Sequence, residues 1–109
     1  MRESGKRGEP EITLNANESR FEVETGGAEP SAILTFKQGS GKINLIYTEV
    51  SAEQRRQGLG GTLVKAALDY ARQNRLQVIP SCPFVRSFID HHPEYLDLVP
   101  DDWNRPKRI

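Results

Sequence analysis

The sequence predicts a single α+β (or α/β) sheet domain with helices packed on the sheet, in the order β-β-β-β-α-β-α. Three observations predict it. Short runs of alternating apolar and polar residues, separated by turn residues, fill the first half of the chain. One strong helical stripe follows, made by Leu63, Val64, Ala67, Leu68 and Ala71. Between them, joining the longest strand to that helix, lies the glycine-rich stretch Arg55-Arg56-Gln57-Gly58-Leu59-Gly60-Gly61.

The elements follow in order. Met1 to Pro10 is charged and has no hydrophobic core segment, so it is no signal peptide and reads as a disordered lead-in to a domain spanning 11–100. Ile12-Thr13-Leu14 is a short strand, ended by the turn residues Asn15 to Ser19. Arg20 to Glu24 alternates with Phe21 and Val23 on one face, and Thr25-Gly26-Gly27 breaks it. Ala32 to Lys37 alternates again, with Ala32, Leu34 and Phe36 together, and Gly39-Ser40-Gly41 suits a hairpin connection. Ile43 to Val50 is the longest strand. Simple alternation puts Ile43, Leu45 and Tyr47 on one face and Ile46 and Val50 on the other, which predicts a strand covered on both sides.

The helical run is read as Thr62 to Asn74, with Lys65, Asp69, Arg72 and Gln73 on its polar side. Leu76 to Ile79 is a strand that Pro80 ends. Pro83 suits a first helical position, where its missing N–H costs nothing, and Phe84, Val85, Phe88 and Ile89 form that helix's apolar face. His91-His92-Pro93 ends it and Pro93-Glu94-Tyr95 begins a final turn. Residues 101–109 form a polar tail whose one anchor is Trp103.

Composition narrows the function classes. The chain has 109 residues, enough for one modest core. Its 15 basic and 15 acidic residues cancel, so no global field favours nucleic acid or a membrane surface. A third reading, nucleic-acid binding through Arg55-Arg56 and the basic tail Arg105 to Arg108, lacks the interleaved aromatics such sites use. No apolar run approaches a membrane span. One cysteine excludes an internal disulfide and a Cys-rich zinc site, and His91-His92 with one remote cysteine is not metal-ligand spacing, so no metal is expected. A reduced, cytoplasmic setting fits best.

The glycine turn carries the chemistry. Glycines let a ligand approach the backbone closely. The first N–H groups of the following helix lack internal partners, and the helix dipole favours negative charge there. Arg55 and Arg56 add charge-assisted donors. An anionic, pyrophosphate-bearing ligand is therefore expected at Arg55, Arg56, Gln57, Gly58, Leu59, Gly60, Gly61 and Thr62. The alternative is a glycine-rich helix start beside solvated arginines.

Arg55-x-x-Gly58-x-Gly60, set between strand and helix, resembles the Gln/Arg-x-x-Gly-x-Gly/Ala signature of the GNAT N-acetyltransferase superfamily. The stretch from Asn17 to Leu98 is similar to its small, single-domain YjdJ-type branch. The residues that carry this are Arg20-Phe21-Glu22, Thr48-Glu49-Val50, Arg55 to Gly60, Pro80-Ser81-Cys82-Pro83-Phe84-Val85 and His92-Pro93-Glu94-Tyr95. The resemblance implies a mixed, mostly antiparallel sheet that splays between the Ile43–Val50 and Leu76–Pro80 strands. It implies acetyl-CoA as cosubstrate in that cleft, with pyrophosphate on the backbone of Gln57 to Gly61 and pantetheine paired with the backbone of Thr48 to Val50. The chain departs from the branch in three places. Tyr47 stands where His is common, Ser51 where Pro is common, and Arg56 where Gly is common.

Acetyl transfer to an amine needs a polarised thioester carbonyl, a neutral amine and attack geometry. The Val50 N–H is the candidate for polarising the carbonyl. Cys82, at the N-cap of the last helix, feels the positive end of the dipole, which favours its thiolate as a base or transient acyl carrier. Its other reading is a small buried hydrophobe. Tyr47 stands either as a proton donor to the leaving thiolate or as a packed strand aromatic. Glu49 shares its orientation and is either a base or a solvated carboxylate. His92 reads as a helix end, and Arg86 and Ser87 as either adenosine contacts or surface polarity. The function expected is an acetyl-CoA-dependent N-acetyltransferase acting on protein lysine or a small amine. The alternative is a CoA- or acyl-CoA-binding module without catalysis. The acceptor is not legible, because acceptor grooves are built by freely varying loops.

Overall fold

The computed structural model describes residues 11–24, 30–51 and 58–101. The elements run β1 (Glu11–Asn15), β2 (Arg20–Glu24), β3 (Ala32–Gly39), β4 (Lys42–Val50), α1 (Leu59–Gln73), β5 (Gln77–Pro80), α2 (Pro83–His91) and a 3-10 helix, Pro93–Leu98. This is the predicted order. The Met1–Pro10 lead-in, the Thr25–Gly27 break, Arg55 to Gln57, Trp103 and the 102–109 part of the tail lie outside the described residues.

The five strands form one sheet in sequence order. The first three pairings are antiparallel and β4–β5 is parallel. Ser40 and Gly41, at φ 52° and 76°, make the two-residue turn between β3 and β4. Both central residues at positive φ match the twist of an antiparallel pair.

One core lies on one face of the sheet. Phe21, Val23, Leu34, Phe36, Ile43, Leu45 and Val78 point from the strands against the whole predicted α1 stripe and against Val85 and Ile89 of α2. Leu63, Val64, Ala67, Leu68 and Ala71 are each fully buried. Truncating such a leucine to alanine costs about 3 kcal/mol. Phe21 meets Phe36 and Tyr70 at ring distances of 5.2 and 5.4 Å.

Helix α1 starts three residues earlier than the sequence reading placed it, at Leu59, and Gly58 is its N-cap. It ends in a Schellman motif: Leu76 N–H bonds Ala71 O at 2.8 Å and Arg75 N–H bonds Arg72 O at 3.2 Å. Arg75 occupies the left-handed position at φ 58° that glycine usually takes, which is why no glycine marks this end.

The His92-Pro93-Glu94-Tyr95 motif is a brace. His92 Nδ1 lies 2.9 Å from Phe88 O and its ring stacks on Phe88 at 4.0 Å, closing α2 as expected. Buried Tyr95 donates its hydroxyl to Asp69 at 2.9 Å. Burial and that carboxylate push the phenol's pKa up, keeping it a donor. Arg72 grips both Asp97 oxygens and the Glu94 carbonyl.

The faces of β4 differ from simple alternation. Thr35 pairs with Tyr47 and Phe36 with Leu45, so Ile46 is an extra residue, a β-bulge. Beyond it the side chains exchange faces: Thr48 and Val50 join Ile43 and Leu45 on the core side, while Tyr47 and Glu49 point to the other face. That face is not covered by a described element. Ile46 is 40% and Tyr47 52% exposed. The expectation of cover on both sides is thus corrected, because both described helices share one side of the sheet.

On this uncovered face, Glu22 accepts from Arg20 Nε at 2.6 Å and from Asn15 at 2.9 Å. The guanidinium, then the amide, hold its carboxyl below the ordinary glutamate range. A lowered folded-state pKa gives stability that is present above the ordinary value and lost as pH falls through the folded one. Acid unfolding is therefore expected to steepen below about pH 4, and Glu22→Gln to flatten that slope in pH-dependent urea melts.

Candidate functional site

β4 and β5 pair only from Lys42–Gln77 to Leu45–Pro80. After Pro80 the chain leaves the sheet. Cys82 N–H makes one last bond to Leu45 O at 2.9 Å, and α2 begins at Pro83. β4 continues to Val50 without β5 beside it. The splay expected between these strands is therefore present, with its vertex at Leu45 and Cys82.

Main-chain direction follows from the register. Ser51 N–H donates to Ser31 O across the β3–β4 pair. In an antiparallel ladder, Glu49 and Ser51 then face β3, so the main-chain groups of Thr48 and Val50 point the other way, into the splay.

The N-terminus of α1 closes one end of this cleft. Thr62 N–H and Thr62 Oγ1 both reach Gly58 O at 3.1 Å, and Thr62 is the first residue bonded into the helix. The N–H groups of Leu59, Gly60 and Gly61 precede it, Gly58 carries no capping side chain, and the first turn has no acidic residue. The dipole's positive end is thus not neutralised from within its own turn. Gly58 holds φ 69°, and a Cβ at Gly60 would meet the Phe84 ring at 3.0 Å and Val50 Cγ2 at 3.6 Å. Helix start, strand end and the first turn of α2 thus converge on a glycine. Such a flush backbone is the surface a phosphate needs. A Cβ at Gly61 would touch only Phe88, at 3.7 Å.

The three expected catalytic side chains separate. Cys82 is 5% exposed and caps α2 by position alone, its Sγ lying 3.4 Å from Thr48 Oγ1 on the core side. Tyr47 and Glu49 stand together on the uncovered face. Beside Glu49 is a depression of about 250 Å³ lined by Arg20, Pro30, Ser31, Ala32, Ile33, Glu49 and Ser51. Sequence reasoning missed this depression, since only strand register unites its residues. It also missed Phe84, whose 45% exposure on a helix facing a glycine is the signal. Arg86 is not extended toward the cleft, because its Nε donates to Pro80 O at 3.3 Å. His91 Nδ1 meets Ser87 O at 2.9 Å on the surface. Among the described residues no group of histidine, cysteine and carboxylate side chains is arranged to hold a metal, and no helix is long and apolar enough to cross a membrane.

The sequence model of GCN5-related N-acetyl-transferases matches residues 20–98, the stretch that builds the splay and the glycine helix start. This chain belongs to the GCN5-related N-acetyltransferase family. The NMR structure of a GCN5-like protein from Staphylococcus aureus is similar to it, with a TM-score of 0.66 and 31% identity, over 83% of this chain and 87% of that one. Protein NATD1 of Bos taurus is 30% identical over 83 residues, covering 73% of this chain and 74% of the relative. NATD1 of Danio rerio is 26% identical over 83 residues, covering 73% and 76%. The family match begins at Arg20 and ends at Leu98, so it takes in β2 through the 3-10 brace and leaves β1 outside.

Proposed function

We propose that this chain is an acetyl-CoA-dependent N-acetyltransferase that acetylates an amine in the cytoplasm. The observation that carries the proposal is the meeting of Val50, Gly60 and Phe84 at the mouth of the β4–β5 splay. There an uncapped helix start and outward-pointing strand backbone serve one extended, anionic ligand. The N–H groups of Leu59 to Gly61 hold the pyrophosphate, together with Arg55, Arg56 and Gln57, which precede them in sequence. The main chain of Thr48 and Val50 pairs with the pantetheine arm. The cosubstrate supplies an acetyl group activated as a thioester.

The chain's own groups do the rest. Glu49, on the open face, takes the proton from the acceptor ammonium, and the freed amine nitrogen bonds the acetyl carbon as the carbon–sulfur bond breaks. The Val50 N–H donates to the carbonyl oxygen as it gains charge. Tyr47, exposed beside Glu49, gives its proton to the leaving thiolate and is reprotonated by the second proton that the nitrogen sheds as the amide forms. Cys82 holds Thr48 in place through the 3.4 Å contact at the vertex, a positioning role that suits a thiol 5% exposed.

Release of free CoA thiol across a panel of amines and lysine peptides tests this reading. Turnover with at least one acceptor is expected. Binding of acetyl-CoA with no release against any amine would favour a CoA-binding module, a role that Tyr47 in place of the family's common histidine would permit. In the same assay Cys82→Ala is expected to keep turnover within about threefold while costing about 1 kcal/mol of stability. A loss of tenfold or more would return Cys82 to the chemistry as base or acyl carrier.

A further inference from the structure

The uncovered face of the sheet has an uneven charge. Glu11 pairs with Glu24, Glu22 with Ile33, and Ile33 with Glu49. Strand alternation puts all four carboxylates on this face, at the end where β4 leaves β5. Three cations share the face. Arg20 is bound to Glu22 at 2.6 Å, and Lys37 and Lys42 lie toward the other end, opposite Asn44 and Gly39. Among the described residues no ion pair engages Glu11, Glu24 or Glu49. Glu11 and Glu24 are direct cross-strand partners, and like charges so placed destabilise a sheet. Among the described residues no ion pair offsets that repulsion.

Glu11 and Glu24 lie three and two strand spacings across from Glu49 and two residues further along, a backbone separation of roughly 16 and 12 Å. Between them runs a shallow surface over half-buried Ile33, ending in the depression beside Glu49, with exposed Tyr47 on its far side. A free polyamine needs a pocket that encloses it. This surface instead suits a chain that lies along it and covers apolar side chains with its own.

We propose that this face docks an extended, basic polypeptide segment, with one lysine reaching Glu49 at the depression. The lysine's acetylation rests on the transferase reading above; the docking does not. The test is fluorescence anisotropy on the CoA-saturated protein, with a labelled peptide carrying one lysine among arginines and the same peptide with glutamines for arginines. The basic peptide is expected to bind about tenfold tighter, with the advantage shrinking as salt rises. Glu11→Lys with Glu24→Lys, or Gln at both positions if the reversal unfolds the edge, is expected to erase most of that advantage. The thermal shift given by CoA should stay unchanged. Equal binding of the two peptides would overturn the proposal, as would an advantage that survives both variants. So would spermine competing as strongly as the peptide, or light scattering that shows a dimer dissolved by the charge reversal. Loss of acetyl transfer with peptide binding intact would count against the enzyme and leave the docking face standing.

Discussion

Glu49→Gln is expected to lower kcat for acetyl transfer by about a hundredfold, the usual loss when a positioned general base is removed. The amide keeps the shape of the carboxylate and cannot take a proton. Glu49 stands on the uncovered face, on the strand that borders the splay, and beside the depression it lines with Arg20 and Ile33. Its neighbour Tyr47 shares the face, but its role in this account is proton donor to the leaving thiolate, not base. The affinity for acetyl-CoA, measured by thermal shift, is expected to hold, because Glu49's side chain points away from the α1 start. Raising pH should restore part of the variant's rate, as more acceptor amine loses its proton unaided. A variant with unchanged kcat would remove Glu49 from the chemistry.

Gly60→Leu is expected to abolish cosubstrate binding. Already the first carbon of that side chain would meet the Phe84 ring at 3.0 Å, so a leucine must displace the ring or fill the mouth of the cleft. For the native chain, ligand at about a hundred times Kd adds about 2.7 kcal/mol. In a domain of this size that raises Tm by about 10 °C or more. The variant should fold, since Gly60 lies in the first turn of α1, and should lose that rise. Gly61→Leu is the control: its Cβ contact with Phe88 at 3.7 Å is ordinary packing. If Gly60→Leu keeps the full rise, the anion does not sit on this helix start.

That a glycine-rich stretch joins a strand to a helix was legible because it has local causes: the strand run ends at Val50 and the helical stripe follows the glycines. The α1 stripe was legible for the same reason, as were Pro83 at a first helical position and His92 at a helix end. The bulge at Ile46 was not. It depends on which residue of β3 faces which residue of β4, and alternation within one strand carries no such information. That one extra residue moves Tyr47 from the core to the open face, brings Thr48 under Cys82, and turns Glu49 toward the depression. The start of α1 was read late because Gly60 and Gly61 are poor helix formers. They lie in the helix where the Phe84 and Phe88 rings approach its first turn, a contact the local sequence does not announce. The depression was invisible for the reason the bulge was: Arg20, Ile33 and Glu49 come from three strands and meet only through register.

The central claim is that one cleft, between the end of β4 and the start of α1, holds the cosubstrate. Titration of the labelled protein with acetyl-CoA, followed residue by residue through its backbone amide NMR signals, tests it most directly. The largest shifts are expected at Thr48, Val50 and Gly58 through Thr62, with Phe84 following. Shifts confined to β1, β2 and the 3-10 brace, with Gly58 to Gly61 unmoved at saturation, would contradict the account.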